Sequence, residues 1–173
     1  MMDKTLYEHV YDLLKERGVK IDDLAKLVLD SQKKYEPHLT LSDARNAIDH
    51  VLRKREVQNA IITGIYLDRK ADTDPSMDPY LRKILKHDEP QYQCDELLST
   101  ACVDIFGGVA SSNRGYLDKT KPGIIGITDR RTDSCNVFLD DLLVAIVSSA
   151  ESYVANKFPQ GAYREMEVDS RDY

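Results

Sequence analysis

A chain of 173 residues is long enough to bury one sizeable core, which indicates a single domain. It carries 24 lysine and arginine residues against 30 aspartate and glutamate residues, for a net charge of −6. This balance argues against a nucleic-acid binder, which needs a broad basic face. An acidic protein that handles phosphate would need a local basic cluster or a metal ion to offset the repulsion.

The cysteines and the N-terminal residues indicate the cellular compartment in which the protein is expected. Cys94, Cys102 and Cys135 are odd in number and lack C-x-x-C spacing, which favours reduced thiols in the cytoplasm over disulfides or a zinc site. The chain opens on a charged amphipathic segment without the features of a signal peptide. No apolar run reaches the ~18 residues of a membrane-spanning helix. We therefore expect a cytoplasmic protein without a transmembrane span.

The first half of the chain predicts helices. Apolar residues at helical spacing indicate two helices before Pro37, and Thr40 to Asp43 resembles a capping box that begins another. The apolar pattern then continues to about residue 71, as one long helix or as two helices that change direction near residues 54–57. Pro79 begins a short predicted helix over about 79–87.

The second half is less regular. Residues 92–106 predict a helix whose apolar side chains face inward, and residues 119–134 predict one long irregular loop. Residues 124–127 are the only plausible strand. The last helix is predicted over about 135–157. The fold is thus predicted to be all-α, a single-domain bundle of about six helices with one long irregular loop, comprising N-terminal helices (1–72), a catalytic portion (90–156) and a polar tail (160–173).

Two adjacent aspartates, Asp140 and Asp141, lie in the middle of the most apolar run of the chain, residues 136–147. A helix that is apolar on nearly every side should be central and buried. Buried carboxylates are costly unless they are paired, hydrogen-bonded or bound to metal. The sequence therefore predicts that the fold supplies partners for both aspartates.

A second acidic doublet, Asp95-Glu96, lies on another apolar helix. Antiparallel packing of the two helices would bring both doublets to one site, where a divalent cation would neutralise the carboxylates. Oxygen ligands select Mg²⁺ or Mn²⁺, so Asp95, Glu96, Asp140 and Asp141 are the predicted metal ligands. The alternative is that one member of each doublet caps or pairs locally while the other faces solvent.

The segment between the doublets holds residues that could contact phosphate. Lys121 offers a point charge beside Pro122, Asp118 could complete a metal shell, and Arg130 belongs to a planar clamp further along. Asn113 could orient a ligand. The alternatives are a solvated loop for the lysine and arginine, and a helix terminus for Asn113.

The sequence also allows a different metal site. His87-Asp88 resembles the pair used by helical HD-type phosphohydrolases, with His50 and Asp140 as further ligands. Pro90 places that pair at a frayed helix end, which is a poor position for fixed ligands.

The motifs together resemble a known family. Asp95-Glu96, the D-x-x-K-P run from Asp118 to Pro122, and F-L-D-D ending at Asp141 follow one another in the order and approximate spacing of phosphatidylglycerophosphatase A. This resemblance covers about residues 90–155. The whole chain, including residues 55–60, is similar to the soluble Firmicutes branch of that family, which includes the low-temperature requirement C proteins.

The resemblance implies a Mg²⁺-dependent phosphatase that converts phosphatidylglycerophosphate to phosphatidylglycerol. It implies that Asp95, Glu96, Asp140 and Asp141 are metal and catalytic carboxylates, and that Asp118 and Lys121 position metal and phosphate. Because the family's membrane enzymes carry spans that this chain lacks, the protein would reach its phospholipid at the membrane surface or act on a soluble phosphomonoester. A non-catalytic regulatory or stress-adaptation protein remains the competing class, and exposed helix faces make a homodimer or tetramer plausible.

Overall fold

The computed structural model describes residues 4–157, and within that range the protein is all-helical, as predicted. The predicted tail over 160–173 lies outside the described residues. No helix within 4–157 combines the length and apolarity needed to cross a bilayer. The nine helices are α1 Leu6–Glu16, α2 Ile21–Gln32, α3 Leu41–Leu52, α4 Arg55–Thr73, α5 Pro79–His87, α6 Cys94–Val103, α7 Gly108–Thr120, α8 Gly123–Asp129 and α9 Val137–Lys157, with a 3-10 turn at Asp104–Phe106 after α6.

Helix α9 is the centre of the bundle. Its residues are buried without interruption from Val137 to Ser152, and α2, α3, α4, α6, α7 and α8 all pack against it. The prediction of a central buried helix is therefore confirmed. Burial on every side also explains why this helix is apolar around its whole circumference rather than along one stripe.

The prediction of about six helices is wrong, because nine are present within residues 4–157. The pattern over 41–71 is two helices, since Lys54 is extended (φ −73°, ψ 129°) between α3 and α4. Residues 119–134 are not one irregular loop, because they include α8. Ile124 and Ile125, which suggested a strand, are buried in that helix. Tertiary burial, rather than local periodicity, decides the structure of such a short segment.

Two apolar side chains that the sequence predicted to be buried are exposed on α6 and on the 3-10 turn that follows it. Leu97 and Ile105 were predicted to face inward, but their exposed fractions are 67% and 44%. Ser99, Cys102 and Val103 of this region are buried, and Leu98 and Phe106 pack against the core while partly buried. Two large aliphatic side chains therefore lie on the surface of the bundle.

An aspartate from α4 anchors the start of α9. The carboxylate of Asp68, which is fully buried, accepts hydrogen bonds from the backbone N–H groups of Phe138 and Leu139, both at 3.1 Å. The Cys135 thiol donates to the same carboxylate at 3.6 Å. Asp68 therefore serves as a helix cap supplied from a distant part of the chain, in a place where α9 would otherwise leave buried donors without acceptors.

We expect Asp68→Asn to change how stability depends on pH. Burial raises the pKa of Asp68 to about 7, although the two N–H groups and Arg17 act to lower it. The folded protein thus holds this proton more tightly than the unfolded chain, where the pKa is about 4. The resulting stabilisation is present below pH ~4 and is lost as the pH rises to about 7.

Urea unfolding of wild type and Asp68→Asn at pH 5 and pH 8 measures this contribution. The stability advantage of wild type over the variant should be smaller at pH 8 than at pH 5. An advantage that is the same at both pH values, or larger at pH 8, would contradict the assignment. Asp30→Asn, at an exposed position of α2, is the control and should show no such change.

Candidate functional site

The ends of several helices meet at one cleft. The N-terminal turns of α6 and α9, the C-terminal end of α7 and the α5–α6 connection enclose a volume of about 250 Å³. Carboxylates at helix N-termini and a lysine at a helix C-terminus are each favoured by the helix dipoles. The lining residues are Asp88, Glu89, Pro90, Gln93, Asp95, Glu96, Asp118, Lys121, Val137, Asp140 and Asp141.

The two acidic doublets meet in this cleft, but not by the predicted route. Asp95 lies in the first turn of α6, as Asp140 does in α9. Just beyond the other end of α6, the carbonyl oxygen of Phe106 in the 3-10 turn accepts a hydrogen bond at 2.8 Å from Ser152, towards the C-terminal end of α9. The helices therefore run parallel, so it is not antiparallel packing that brings the doublets together. The doublets come together because each occupies the same end of its helix.

Lys121 lies at the centre of the carboxylates. Its Nζ is 2.6 Å from Asp140 Oδ2 and 3.0 Å from Asp118 Oδ1. Asp129 Oδ1 and Asp141 Oδ1 follow at 3.6 and 3.9 Å. One ammonium group thus faces four carboxylates. Three of them, on Asp118, Asp140 and Asp141, belong to residues that the sequence predicted for the site.

Backbone strain is concentrated at the cleft. Asp88, Gln93 and Lys121 are the non-glycine residues with left-handed backbone in the part of the chain that the structure describes, with φ of 49°, 56° and 43°. All three line the cleft. Side chains other than glycine adopt this conformation at a cost that surrounding contacts must offset, and such residues cluster at functional sites.

Gly126 allows the turn that places Lys121. Lys121 ends α7, Pro122 is the extended N-cap of α8, and a Cβ on Gly126 would collide with the carbonyl oxygen of Lys121. The D-x-x-K-P motif is thus a helix end in which Asp118 and Lys121 pair at i, i+3, followed by a tight entry into α8. The motif fixes the lysine against α9.

The electrostatics of the cleft are unbalanced. Seven acidic side chains and one lysine line it. Burial, followed in effect by the negative charge of Asp140, raises the pKa of Asp141 to about 8, and burial raises the pKa of Asp140 to about 6 against the effect of Lys121. Burial acts to lower the pKa of Lys121, but its carboxylate neighbours raise it above the usual value. Lys121 therefore stays protonated, and its single charge does not compensate the carboxylates.

The chemistry of this donor set fits a divalent cation. Carboxylate oxygens are the ligands that Mg²⁺ and Mn²⁺ prefer, and the uncompensated negative charge supplies the attraction. The side chains do not, however, converge on a single point: among the described residues no group of three acidic, histidine or cysteine side chains is placed to hold an ion. Lys121 lies between the carboxylates instead.

Two predicted substrate residues lie elsewhere. The side-chain amide of Asn113 donates to Glu151 at 2.8 Å, and the Ser31 hydroxyl donates to the same buried carboxylate at 2.5 Å. Arg130 is exposed at the end of α8. Neither Asn113 nor Arg130 lines the cleft.

The residues of the HD-type interpretation are also separated. His50 stacks on Tyr153 with ring centroids 4.2 Å apart, and its pKa is lowered, mainly by burial. His87 is exposed at the end of α5. Only Asp88 and Asp140 of that set line the cleft.

Glu89 and Gln93 line the cleft although no sequence motif placed them there, and Asp88 was expected only in the HD-type pair. The sequence around these residues does contain an indication of their role. Asp88 and Glu89 directly precede Pro90, and Gln93 directly precedes the Cys94-Asp95-Glu96 run. A short polar connection that enters an acidic helix N-terminus is a common place for a binding residue.

Sequence comparison identifies relatives over most of the chain. The family model described as Phosphatidylglycerophosphatase A matches residues 15–156. The Bacillus subtilis protein YutG is 45% identical over 145 residues, which cover 83% of this chain and 87% of YutG. The Bacillus subtilis protein YpjQ is 38% identical, with 92% of this chain and 90% of YpjQ covered. Both relatives are described as uncharacterized.

Solved structures agree with these matches. The low temperature requirement C protein from Listeria monocytogenes superposes with a TM-score of 0.83 at 42% identity, covering 89% of this chain and 97% of that protein. A protein of unknown function from Bacillus stearothermophilus superposes with a TM-score of 0.84 at 41% identity, covering 90% of this chain and 97% of the other. The resemblance to the Firmicutes branch is thereby confirmed. The chain belongs to the phosphatidylglycerophosphatase A family.

Proposed function

We propose that this protein is a Mg²⁺-dependent phosphatase that removes the terminal phosphate of phosphatidylglycerophosphate to give phosphatidylglycerol. The observation that supports this most is the cleft, where the two acidic doublets and the D-x-x-K-P lysine meet among strained backbone residues. Membership of the phosphatidylglycerophosphatase A family supports the choice of reaction.

Six residues of the cleft have a role in this proposal. Asp95, Glu96, Asp140 and Asp141 would hold Mg²⁺, which when bound stabilises negative charge on the phosphoryl oxygens. The ammonium group of Lys121 binds a phosphate oxygen and stabilises the charge that develops there. A cleft carboxylate takes the proton of the water that attacks phosphorus and gives it to the glycerol oxygen as the bond between that oxygen and phosphorus breaks. Asp118 keeps Lys121 in position through their 3.0 Å ion pair.

The composition of the cleft also favours a second candidate substrate. Pro90 and Val137 are the apolar residues of its lining, and the others are charged or polar. Such a cleft can accept the phosphate and glycerol of the head group but has little surface for acyl chains. A soluble phosphomonoester would make the same contacts, so the same site would act on either substrate.

Phosphate release from three substrates tests the proposal: phosphatidylglycerophosphate in mixed micelles, glycerol phosphate, and p-nitrophenyl phosphate. With Mg²⁺ we expect the lipid to be hydrolysed fastest, and we expect Asp140→Asn to reduce that rate roughly 100-fold or more. Asp30→Asn, which removes an exposed carboxylate of α2, is the matched control and should retain wild-type activity.

Each outcome decides between the candidates. Faster hydrolysis of glycerol phosphate than of the lipid would replace the proposed substrate with a soluble one. No release from any of the three, at any Mg²⁺ concentration, would favour the non-catalytic regulatory or stress-adaptation protein. Equal loss in Asp140→Asn and Asp30→Asn would show that the cleft is not the active site.

A further inference from the structure

A groove of about 470 Å³ lies between α1 and α3, and we call it the N-terminal groove. Tyr7, Tyr11 and Lys15 follow one another at i, i+4 spacing on one face of α1, and Arg45 and Asp49 do the same on α3. The α1–α2 connection completes the lining. The N-terminal groove and the cleft have no lining residue in common. It is therefore a second concave surface, larger than the cleft and built from other helices.

The packing of α1 leaves this groove open. Helix α1 packs mainly against α4, whereas α3 packs against α2 and α9. The hydroxyl of Tyr7 spans the gap and donates to Asp49 Oδ1 at 2.7 Å. Arg45 of α3 forms an ion pair with Asp22 at the start of α2. Both carboxylates of the lining, Asp22 and Asp49, thus already have a partner within the protein.

The charge of the N-terminal groove is opposite to that of the cleft. Three cations and two carboxylates line it, although the protein as a whole has a net charge of −6. Within residues 4–157, neither Lys15 nor Lys20 forms an ion pair. Asp12, whose pKa Lys15 acts to lower, is itself paired with Lys4. The groove therefore presents two ammonium groups that can bind an anionic group.

The same groove offers an aromatic surface. The guanidinium group of Arg53 lies over the ring of Tyr7, 4.5 Å from its centroid. The ring of Tyr11 is 41% exposed, so it supplies the accessible aromatic face. Val19 and Ile21 add aliphatic surface from the α1–α2 connection and the start of α2. A planar ring can stack on such a tyrosine while it covers the aliphatic side chains.

We propose that the N-terminal groove binds a nucleoside phosphate. The base stacks on Tyr11, and the phosphate contacts Lys15 and Lys20. The sugar hydroxyls donate to Asp22 and Asp49, because each carboxylate has about four lone-pair sites and its partner in the protein leaves some of them open. The volume of the groove also lies within the ~300–1,000 Å³ of small-molecule sites.

A nucleoside phosphate is favoured because it uses all three kinds of lining group. Inorganic phosphate would contact the lysines alone, and an uncharged nucleoside would leave them without an anion. The inference does not rest on the proposed function, since the N-terminal groove and the cleft are lined by different residues.

Isothermal titration calorimetry of the full chain with AMP, adenosine and inorganic phosphate tests the proposal. A chelator is present throughout, so that AMP is not hydrolysed in the cleft. We expect AMP to bind at one site per chain and more tightly than either of its parts. Tyr11→Ser should weaken AMP binding about tenfold or more through the loss of stacking. Lys15→Met/Lys20→Met should weaken it to a similar extent through the loss of charged contacts to phosphate.

Matched controls remove the same groups from other surfaces. Tyr116→Ser removes a ring of 68% exposure from α7, and Lys33→Met/Lys119→Met removes two exposed lysines outside the groove. Both controls should bind AMP like wild type. Because all the substituted side chains are exposed, each variant is expected to unfold at a temperature close to that of wild type.

Three results would overturn the proposal. The first is an absence of saturable AMP binding at millimolar concentration. The second is AMP binding that is no tighter than the binding of inorganic phosphate or adenosine. The third is AMP binding that both Tyr11→Ser and Lys15→Met/Lys20→Met leave unchanged, which would place the nucleotide elsewhere on the chain. Binding in the groove by a protein that releases no phosphate from any substrate would support this proposal while the proposed function fails.

Discussion

Replacing Lys121 with methionine should lower the free energy of unfolding by about 3–5 kcal/mol. The ammonium group lies within 4 Å of carboxylate oxygens on Asp118, Asp129, Asp140 and Asp141. Methionine keeps much of the packing volume but leaves the buried carboxylate of Asp140 without its counter-ion. Thermal or urea unfolding at pH 7 measures the loss.

The same variant tests whether the cleft attracts a divalent cation. Because the variant lacks the lysine charge, added Mg²⁺ should stabilise it more than it stabilises wild type, through binding to the folded state alone. Lys119→Met, two residues away and exposed, is the control and should unfold within about 0.5 kcal/mol of wild type. A Lys121→Met variant that is as stable as wild type, or that does not respond to Mg²⁺, would contradict this account of the cleft.

The second large effect is expected at Gly64, where α4 crosses α9. A Cβ at this position would lie 2.7 Å from Leu142 Cδ1 and 2.8 Å from Phe138 Cβ. Such distances force a shift of the helices, because the Phe138 Cβ is fixed close to the backbone. Gly64→Ala should therefore cost about 1–3 kcal/mol of stability, although alanine is otherwise the better helix former.

Gly115→Ala is the matched control for that change. Gly115 is exposed in the interior of α7, and nothing lies within 4 Å of a Cβ built there. This substitution should stabilise the protein by roughly 0.5–1 kcal/mol. If both substitutions stabilise to a similar extent, then α4 and α9 do not approach as closely as described. Chemical unfolding of the two variants side by side gives the sign of each effect.

Much of the candidate site could be predicted because its residues are unusual in their context. Asp140 and Asp141 interrupt the most apolar helix of the chain, and paired carboxylates at such positions need an explanation that ordinary helices do not. The order of the acidic doublets and the D-x-x-K-P motif then identified the family. These signals are local, and a single sequence carries them fully.

The features that were not predicted depend on contacts between distant residues. Neither α6 nor α9 encodes its direction relative to the other in its own residues, so their parallel packing could not be predicted from them. Asp68 caps α9 from α4, 70 residues earlier in the chain. Its position on the buried stripe between Ile65 and Ala71 was a signal, because a charged residue among core positions requires a buried partner.

Helix α8 is another element that its own sequence does not predict. Its seven residues include two glycines and two adjacent isoleucines, which favour a turn or a strand on propensity alone. The close approach of Gly126 to the end of α7 and the burial of Ile124 and Ile125 override that preference. A helix that depends on tertiary contacts of this kind cannot be read from its own residues.

The decisive measurement is phosphate release from phosphatidylglycerophosphate as a function of Mg²⁺, for wild type and Asp141→Asn. We expect release by wild type to rise with Mg²⁺ and to stop with a chelator. We also expect Asp141→Asn, which keeps the shape of a buried side chain 3.9 Å from Lys121, to lose roughly 100-fold or more of that activity while remaining folded. Release that is equal in the two proteins, or that the chelator does not diminish, would contradict the proposed Mg²⁺-dependent phosphatase.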